Sequence, residues 1–397
     1  MRRRRSRNRS ESTPSTGWFS GLPRLLLVVL VLLPVAEWGA GVVSKRLDAR
    51  RQTVALSDKD IAKLYGSAEP GFYREVLEQS PHPRDGVYEP LTEYRMPANV
   101  DAPVSVDKNG VRGGVMGTEG PRVVVFGGST TFGHGLADAE TVPAIMAAAL
   151  AQVGIAARVE NRAVPGWYST QDRIAFAEML AAGTKPDLAV FVHGIDDFQH
   201  CRLPERTSWS GRLALAGLPV GLDTVLRQSS LVALGQRLIG VTPSTEIDET
   251  PPNCAADADV DGALARLDAN RRLISAMAES FGVKVLFVQQ PVPTFHYDNA
   301  KRAVPLDPHR MEPYVASAKG YARLAEMRGQ GKLWEKNLLW LAELEPEEGN
   351  AYIDPVHYSP LFAKLIGETV AKRVGTMLKS PSSDPVAATE PAPAAAK

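Results

Sequence analysis

The sequence predicts an α/β domain in which a parallel sheet is layered between helices. Two observations predict it. From Pro121 onward, short β-branched runs alternate with helix-length amphipathic segments, the rhythm of strand–helix–strand units with helices on both faces. The chemistry-bearing residues also stand just after these runs, where parallel sheets place their sites, at the carboxyl ends of strands.

The elements follow in order. VVVF at 123–126 is the first strand, a helix follows near Thr141 to Val153, and a second strand runs from Ala157 to Asn161. A helix near Thr170 to Ala182 leads to LAVFVH at 188–193, and a helix near Asp261 to Phe281 leads to KVLFVQ at 284–289. A last amphipathic helix begins after AYIDPVHYSP. Between Cys201 and Cys254 the rhythm breaks into Pro, Gly and Ser, so we read an insertion over about 200–256. The two cysteines are too few for a disulfide scaffold or a four-cysteine zinc site, but they can close this insertion in an oxidising compartment. Residues 379–397, ending SSDPVAATEPAPAAAK, are too poor in large apolar side chains to fold.

Ahead of this domain the composition changes. The formal charge is zero, with 45 basic and 45 acidic residues, but six arginines fall within residues 1–10 and leave 39 basic against 45 acidic, or −6, for the rest. A nucleic-acid role for the body is therefore disfavoured. The basic tail, 1–21, precedes a stretch at 22–43 whose centre, LLLVVLVLLPVA at 25–36, lacks any charge. From Leu25 to Val43 is 19 residues, against about 20 needed to cross a hydrocarbon core. Glu37, near the far end, can reach the headgroups beside Trp38. This pattern predicts an uncleaved single-pass signal anchor, with the arginines cytoplasmic and the body exported; a cleaved signal peptide is the alternative. Residues 44–120 read as a membrane-proximal lead, with one short helix near Asp58 to Tyr65 and a Pro-rich stretch in which no chemistry is evident.

The chemistry concentrates in four places. VVVFGGSTTFGHG sets Gly127, Gly128 and Ser129 directly after an apolar strand, where a tight turn presents the serine hydroxyl. A phosphate-binding loop would need a lysine where His134 follows Gly133, and a Gly-x-Ser-x-Gly elbow would need a glycine at Thr131. Near the C-terminus, Asp354 and His357 stand three apart. Asp354 could hold the imidazole while His357 accepts the Ser129 proton, the division of labour between nucleophile, base and orienter. NRAVPGWYS places Gly166 after the second strand, and HGIDDF places Gly194, Asp196 and Asp197 after the third. His193, Asp196, Asp197 and His200 are of ligand type, but the first ends a β run and no third histidine lies at motif spacing, so we assign no metal. Trp167 and Tyr168 either line a cleft or pack; His134 and His296 receive no role.

Taken together, these blocks resemble the SGNH hydrolases, also called GDSL-type esterases and lipases, over roughly Asp107 to Met377. Gly127-Gly128-Ser129 is similar to the nucleophile turn, Gly166 to the glycine whose N–H serves the oxyanion hole, and Asp354 and His357 to the Asp-x-x-His block. NGVRGG at 109–114 resembles the lead of membrane-anchored bacterial members. The resemblance implies a three-layer flavodoxin-like sheet over 121–378, an acyl-serine intermediate, and no cofactor. In the third block, Gly-x-Asn-Asp in the family, this sequence has Asp196 where an asparagine would donate to the oxyanion. A carboxylate there would repel the developing charge unless protonated. A shifted register, a neutral Asp196 or an altered role are the open outcomes.

The reading is thus a serine esterase, with Ser129, His357 and Asp354 as triad and Ser129, Gly166 and Asp196 at the oxyanion hole. It would be held in a bacterial-type inner membrane facing the periplasm. Its expected substrates are acylated, chiefly acetylated, envelope or extracellular carbohydrates or small esters. A polysaccharide O-acetyltransferase shares the chemistry; a non-catalytic carbohydrate-binding or assembly component is the reading from another class.

Overall fold

The computed structural model describes residues 56–200, 254, 256–333 and 336–380, together with 32, 35–41 and 43. The chain divides into two compact units, Met1–Arg51 with Leu218–Asp248, and Gln52–Gly217 with Glu249–Lys397. Of the first unit the described residues, all within 32–43, are helical. No helix among the described residues is long and apolar enough to cross a membrane; most of the expected anchor at 22–43, nearly all of the insertion and the tail from 381 lie outside them. Cys254 is disulfide-bonded. Cys201, the other cysteine of the chain, lies outside the described residues.

The second unit opens with α1 (Asp58–Tyr65) and α2 (Pro70–Gln79). Ser57 and Asp60 cap α1 reciprocally, and Gly66 ends it at positive φ. A small antiparallel pair follows, β1 (Val87–Glu89) with β2 (Glu93–Arg95). The main sheet is built from β3 (Arg112–Met116), β4 (Arg122–Gly127), β5 (Arg158–Asn161), β6 (Leu188–His193), β7 (Lys284–Gln289) and β8 (Leu338–Trp340), in the order β3-β5-β4-β6-β7-β8. All neighbours are parallel except β3, which runs antiparallel to β5. Among the described residues, the further α-helices of this unit are α3 (Ser129–Phe132), α4 (Val142–Gln152), α5 (Ser169–Ala181), α6 (Ile195–Gln199), α7 (Asp257–Ser280), α8 (Val315–Gly329) and α9 (Pro360–Lys379).

Alternation along the strands divides the core into two layers. Val123, Val125, Val190 and Val288 pack against Met146 and Leu150 of α4 and Phe362, Ile366 and Val370 of α9. Their neighbours Val124, Phe126, Phe191 and Phe287 pack against Phe176 of α5 and Ile274 of α7. Side chains of successive strand residues point to opposite faces, and a strand with both faces covered reads as the continuous apolar run seen in the sequence.

Several of the described elements escape a reading by pattern. β3 contains Gly113 and Gly114 at positive φ and an irregular register against β5, the mark of a bulge that breaks alternation. β8 has three residues, and α2, which buries Tyr73 and Val76, and α8, which buries Gly320, Tyr321 and Leu324, are not among the elements read from the sequence. The lead, read from sequence as separate from the domain, packs into it from Leu56 onward. Ile61, Tyr65, Val76, Tyr94 and Val104 form one cluster with Phe132, Val164, Trp167 and Ile353.

Strand order places the site. From β4 the chain goes to β5 on one side and then crosses to β6 on the other, so the loops after β5 and β6 diverge around the end of β4. That divergence opens a crevice at the carboxyl edge.

Candidate active site

β4 is buried from Val123 to its end at Gly127, and Gly128 leads directly into α3, which starts at Ser129. Gly128 is required by close approach: a Cβ there would overlap Asp196 Oδ2 and come within 2.8 Å of the Trp167 carbonyl oxygen. As the first residue of a helix, Ser129 has an N–H with no carbonyl one turn earlier to receive it.

The serine hydroxyl lies 2.8 Å from His357 Nε2. On the other side of the imidazole, Nδ1 lies 2.6 Å from Asp354 Oδ2. Asp354 Oδ1 accepts from the N–H groups of Val356 (2.9 Å) and His357 (2.8 Å), so the carboxylate is fixed by its own turn before it orients the ring. Burial would raise the Asp354 carboxyl, but the His357 imidazole and these hydrogen bonds hold it well below the usual carboxylate range. For His357, burial is outweighed by the Asp354 charge and hydrogen bond, and its value is raised. The imidazole is thereby made a better proton acceptor. Arg302 fastens the same turn from behind, donating from Nη1 to the Asp354 carbonyl (2.6 Å) and from Nη2 to that of Pro355 (3.1 Å).

Gly166 stands at φ +80, where a Cβ would come within 2.7 Å of the Tyr94 hydroxyl and 2.8 Å of Pro83. That hydroxyl donates to the Pro165 carbonyl at 2.8 Å. In a trans peptide the C=O and N–H point opposite ways, so fixing the Pro165 oxygen aims the Gly166 N–H away from Tyr94. Trp167 Nε1 donates to the Tyr94 carbonyl (3.2 Å) and secures the same contact.

Ser129, Gly166, Asp196 and His357 share one cleft of about 120 Å³, closed by Pro81, His82, Pro83, Tyr314 and Val356. Larger clefts, of about 370 and 440 Å³, lie beside the C-terminal half of α9, far from any nucleophile–base pair. The lead thus supplies cleft walls and the Tyr94 brace, none of which carries a motif in the sequence. His134, to which the sequence assigns no role, has its ring 4.4 Å from that of His357. Burial first and then the His357 charge push it down to about 3, so it packs as a neutral ring.

The remaining predicted residues go elsewhere. Asp197 accepts from Ser169, His193 Nε2 faces Asp172 at 3.2 Å, and His200 stacks on Tyr168; these do not converge with Asp196 on a common point. Trp167 and Tyr168 are buried and pack. His296 lies against Phe295. Among the described residues, the donor atoms close enough to share a cation are those of His134, Asp354 and His357, two of which already hold each other.

A parallel sheet that brings serine, imidazole and carboxylate into one relay beside a glycine N–H is the framework of an acyl-group hydrolase. The model of the GDSL-like Lipase/Acylhydrolase family matches residues 125–321, a span that includes Ser129, Gly166 and Asp196 and stops before Asp354 and His357. A GDSL-like esterase of Mycobacterium tuberculosis is 27% identical over 326 residues, 78% of this chain and 92% of that one. Among solved structures, a psychrotrophic esterase from Pseudoalteromonas sp. is similar at 8% identity and a TM-score of 0.34, over 66% of this chain and 100% of that one. A lipase/acylhydrolase from Enterococcus faecalis is similar at 14% identity and a TM-score of 0.34, over 65% and 97%. The chain is a hydrolase acting on ester bonds. Over these spans the chain is similar to the GDSL-like lipases and acylhydrolases.

Proposed function

We propose that the protein is a serine esterase that removes short acyl groups, chiefly acetyl, from carbohydrate through an acyl-serine intermediate. The observation that carries this reading is the unbroken relay from Ser129 Oγ to His357 to Asp354. In the scheme, His357 Nε2 takes the hydroxyl proton as Ser129 Oγ bonds to the ester carbonyl carbon. The carbonyl electron pair moves to oxygen, where the N–H groups of Ser129 and Gly166 receive it. Collapse expels the sugar oxygen, which leaves with the proton from His357, and water repeats the sequence to release the acid. The scheme uses neither metal nor cofactor.

Two features support a short acyl group. The cleft, at about 120 Å³, lies below the roughly 300–1,000 Å³ typical of pockets for larger ligands. Pro81, His82 and Pro83, from the lead, narrow it from one side. For location, the arginine-rich start and the apolar 22–43 segment support an exported body held in the inner membrane, which would put envelope glycans within reach. The test is acetate release from acetylated xylan beside a p-nitrophenyl ester series from acetate to octanoate. Acetate release with activity falling steeply beyond four carbons is expected; preference for octanoate would refute the short-acyl reading. Adding a deacetylated oligosaccharide acceptor separates hydrolysis from transfer, since only a transferase would acetylate it.

A further inference from the structure

Three carboxylates are buried together beside the cleft, and one of them, Asp197, has hydrogen-bond partners built around it. Asp197, on α6, accepts hydrogen bonds from the N–H and hydroxyl of Ser169 and lies near Arg266 and Arg271 of α7. Asp172, on α5, is fully buried and faces the His193 imidazole at 3.2 Å. Asp196 differs. It is 8% exposed, it lines the cleft with Ser129, Gly166 and His357, and its Oδ2 lies over Gly128, the residue before the nucleophile. Among the described residues, the cation that can stand opposite it is the His357 imidazolium, which the proposed chemistry requires to be neutral when Ser129 attacks.

We propose that Asp196 works as a neutral carboxylic acid whose O–H donates to the oxyanion, so that the site turns over with a proton on Asp196 and none on His357. The inference rests on the reading of Ser129 and His357 given above. No proton is transferred from Asp196: its O–H bond persists while the carbonyl oxygen gains the electron pair, and it supplies the donor that an uncharged amide would otherwise supply. Three neighbouring carboxylates in one buried pocket cannot all ionise: burial and the neighbouring acids hold Asp172 well above the usual carboxylate range, and Asp196, the member that lines the cleft, is the one whose proton can reach the oxyanion.

The surroundings agree in sign. Burial first, and then the Asp197 charge, push Asp196 up to about 7, while His357 pulls it down. The other groups facing it are Asp172 on α5, Tyr94 on β2, Tyr314 at the cleft rim and Tyr358 before α9. Burial raises all three tyrosines, so they remain uncharged. As pH rises through the Asp196 transition, the donor becomes an anion facing the oxyanion and activity falls. As pH falls through the raised His357 value, the base is lost and activity also falls.

The test is kcat/KM for an aryl acetate from pH 5 to 9, corrected for the uncatalysed rate, with the full chain and its Asp196→Asn, Asp197→Asn and Ser129→Ala variants. The native enzyme should give a bell whose alkaline limb falls about tenfold per pH unit above its transition. Asp196→Asn should keep the acid limb, lose the alkaline one and exceed the native enzyme at pH 9. Asp197→Asn, which removes a charge that raises Asp196, should move the alkaline limb to lower pH. A native profile flat from pH 7 to 9, or an alkaline limb that survives in Asp196→Asn, overturns the assignment. If Asp196→Asn does not fold, the native profile and the direction of the Asp197→Asn shift decide alone. Activity that survives in Ser129→Ala refutes the nucleophile reading itself, and this assignment with it.

Discussion

Tyr94→Phe removes one oxygen atom and tests whether the lead segment shapes the oxyanion site. The tyrosine is 8% exposed, and its hydroxyl, which burial keeps protonated, donates to the Pro165 carbonyl at 2.8 Å. Deleting it leaves that carbonyl without its donor and frees the peptide that carries the Gly166 N–H. A net hydrogen bond of about 1 kcal/mol, rising to about 2 when the partner is left buried, predicts a Tm lower by a few degrees. The activity term is bounded on both sides. Loss of an oxyanion donor costs about 100- to 1,000-fold; here the N–H survives and loses only its restraint, so about 1 kcal/mol of misorientation predicts a fall in kcat of about fivefold to tenfold. KM should hold within about twofold, because an interaction strongest in the transition state lowers kcat and leaves ground-state binding alone. The assay is steady-state hydrolysis of p-nitrophenyl acetate beside a thermal melt. A lowered Tm with unchanged kcat would refute the reasoning, for it would make Tyr94 a packing residue only.

Arg302→Met keeps an apolar stem against Tyr297 and Tyr352 and deletes the donors to the Asp354 and Pro355 carbonyls. Two charge-assisted bonds predict a stability loss of about 2–4 kcal/mol, read by denaturant unfolding, with kcat falling more than KM rises; activity lost no more than stability would contradict a positioning role. Asp354→Asn retains an Oδ1 acceptor for the Val356 and His357 N–H groups but turns an amide N–H toward His357 Nδ1. The imidazole must then carry its proton on Nε2, where it cannot accept from Ser129, and kcat should fall by about 10,000-fold; a loss under tenfold would remove Asp354 from the relay. A reporter fused after Ser380 should be active only when it is of a kind that works outside the cytoplasm, and a cytoplasmic signal would refute the proposed topology.

The sequence revealed what is local and periodic. β4, β6 and β7 read as apolar runs because both faces of each are covered, and Ser129, Gly166 and Asp196 could be set on one edge because each follows such a run. Asp354 and His357 are three residues apart, a separation that a tight turn closes without long-range information. What the sequence hid depends on contacts between distant segments. Pro83 and Tyr94 lie in a stretch without periodicity, and their use arises from packing against Gly166, more than seventy residues later. The pairing of Gly128 with Asp196 is likewise invisible one residue at a time: a missing Cβ after one strand makes room for a carboxylate after another. Asp172 reads as an ordinary polar residue in an amphipathic helix, and only burial shows that it joins Asp197 beside Asp196. His134 stands five residues after the serine, and its contact with His357 follows from the turn that Gly133, at φ +87, allows.

In the proposed chemistry everything depends on Ser129 acting as a nucleophile driven by His357. The most direct measurement incubates the full chain with a fluorophosphonate probe beside its Ser129→Ala and His357→Ala variants and locates the label by peptide mass mapping. Stoichiometric label is expected on Ser129, none in Ser129→Ala, and labelling slowed by orders of magnitude in His357→Ala. A folded native protein that takes no label, or takes it at another residue, would contradict it.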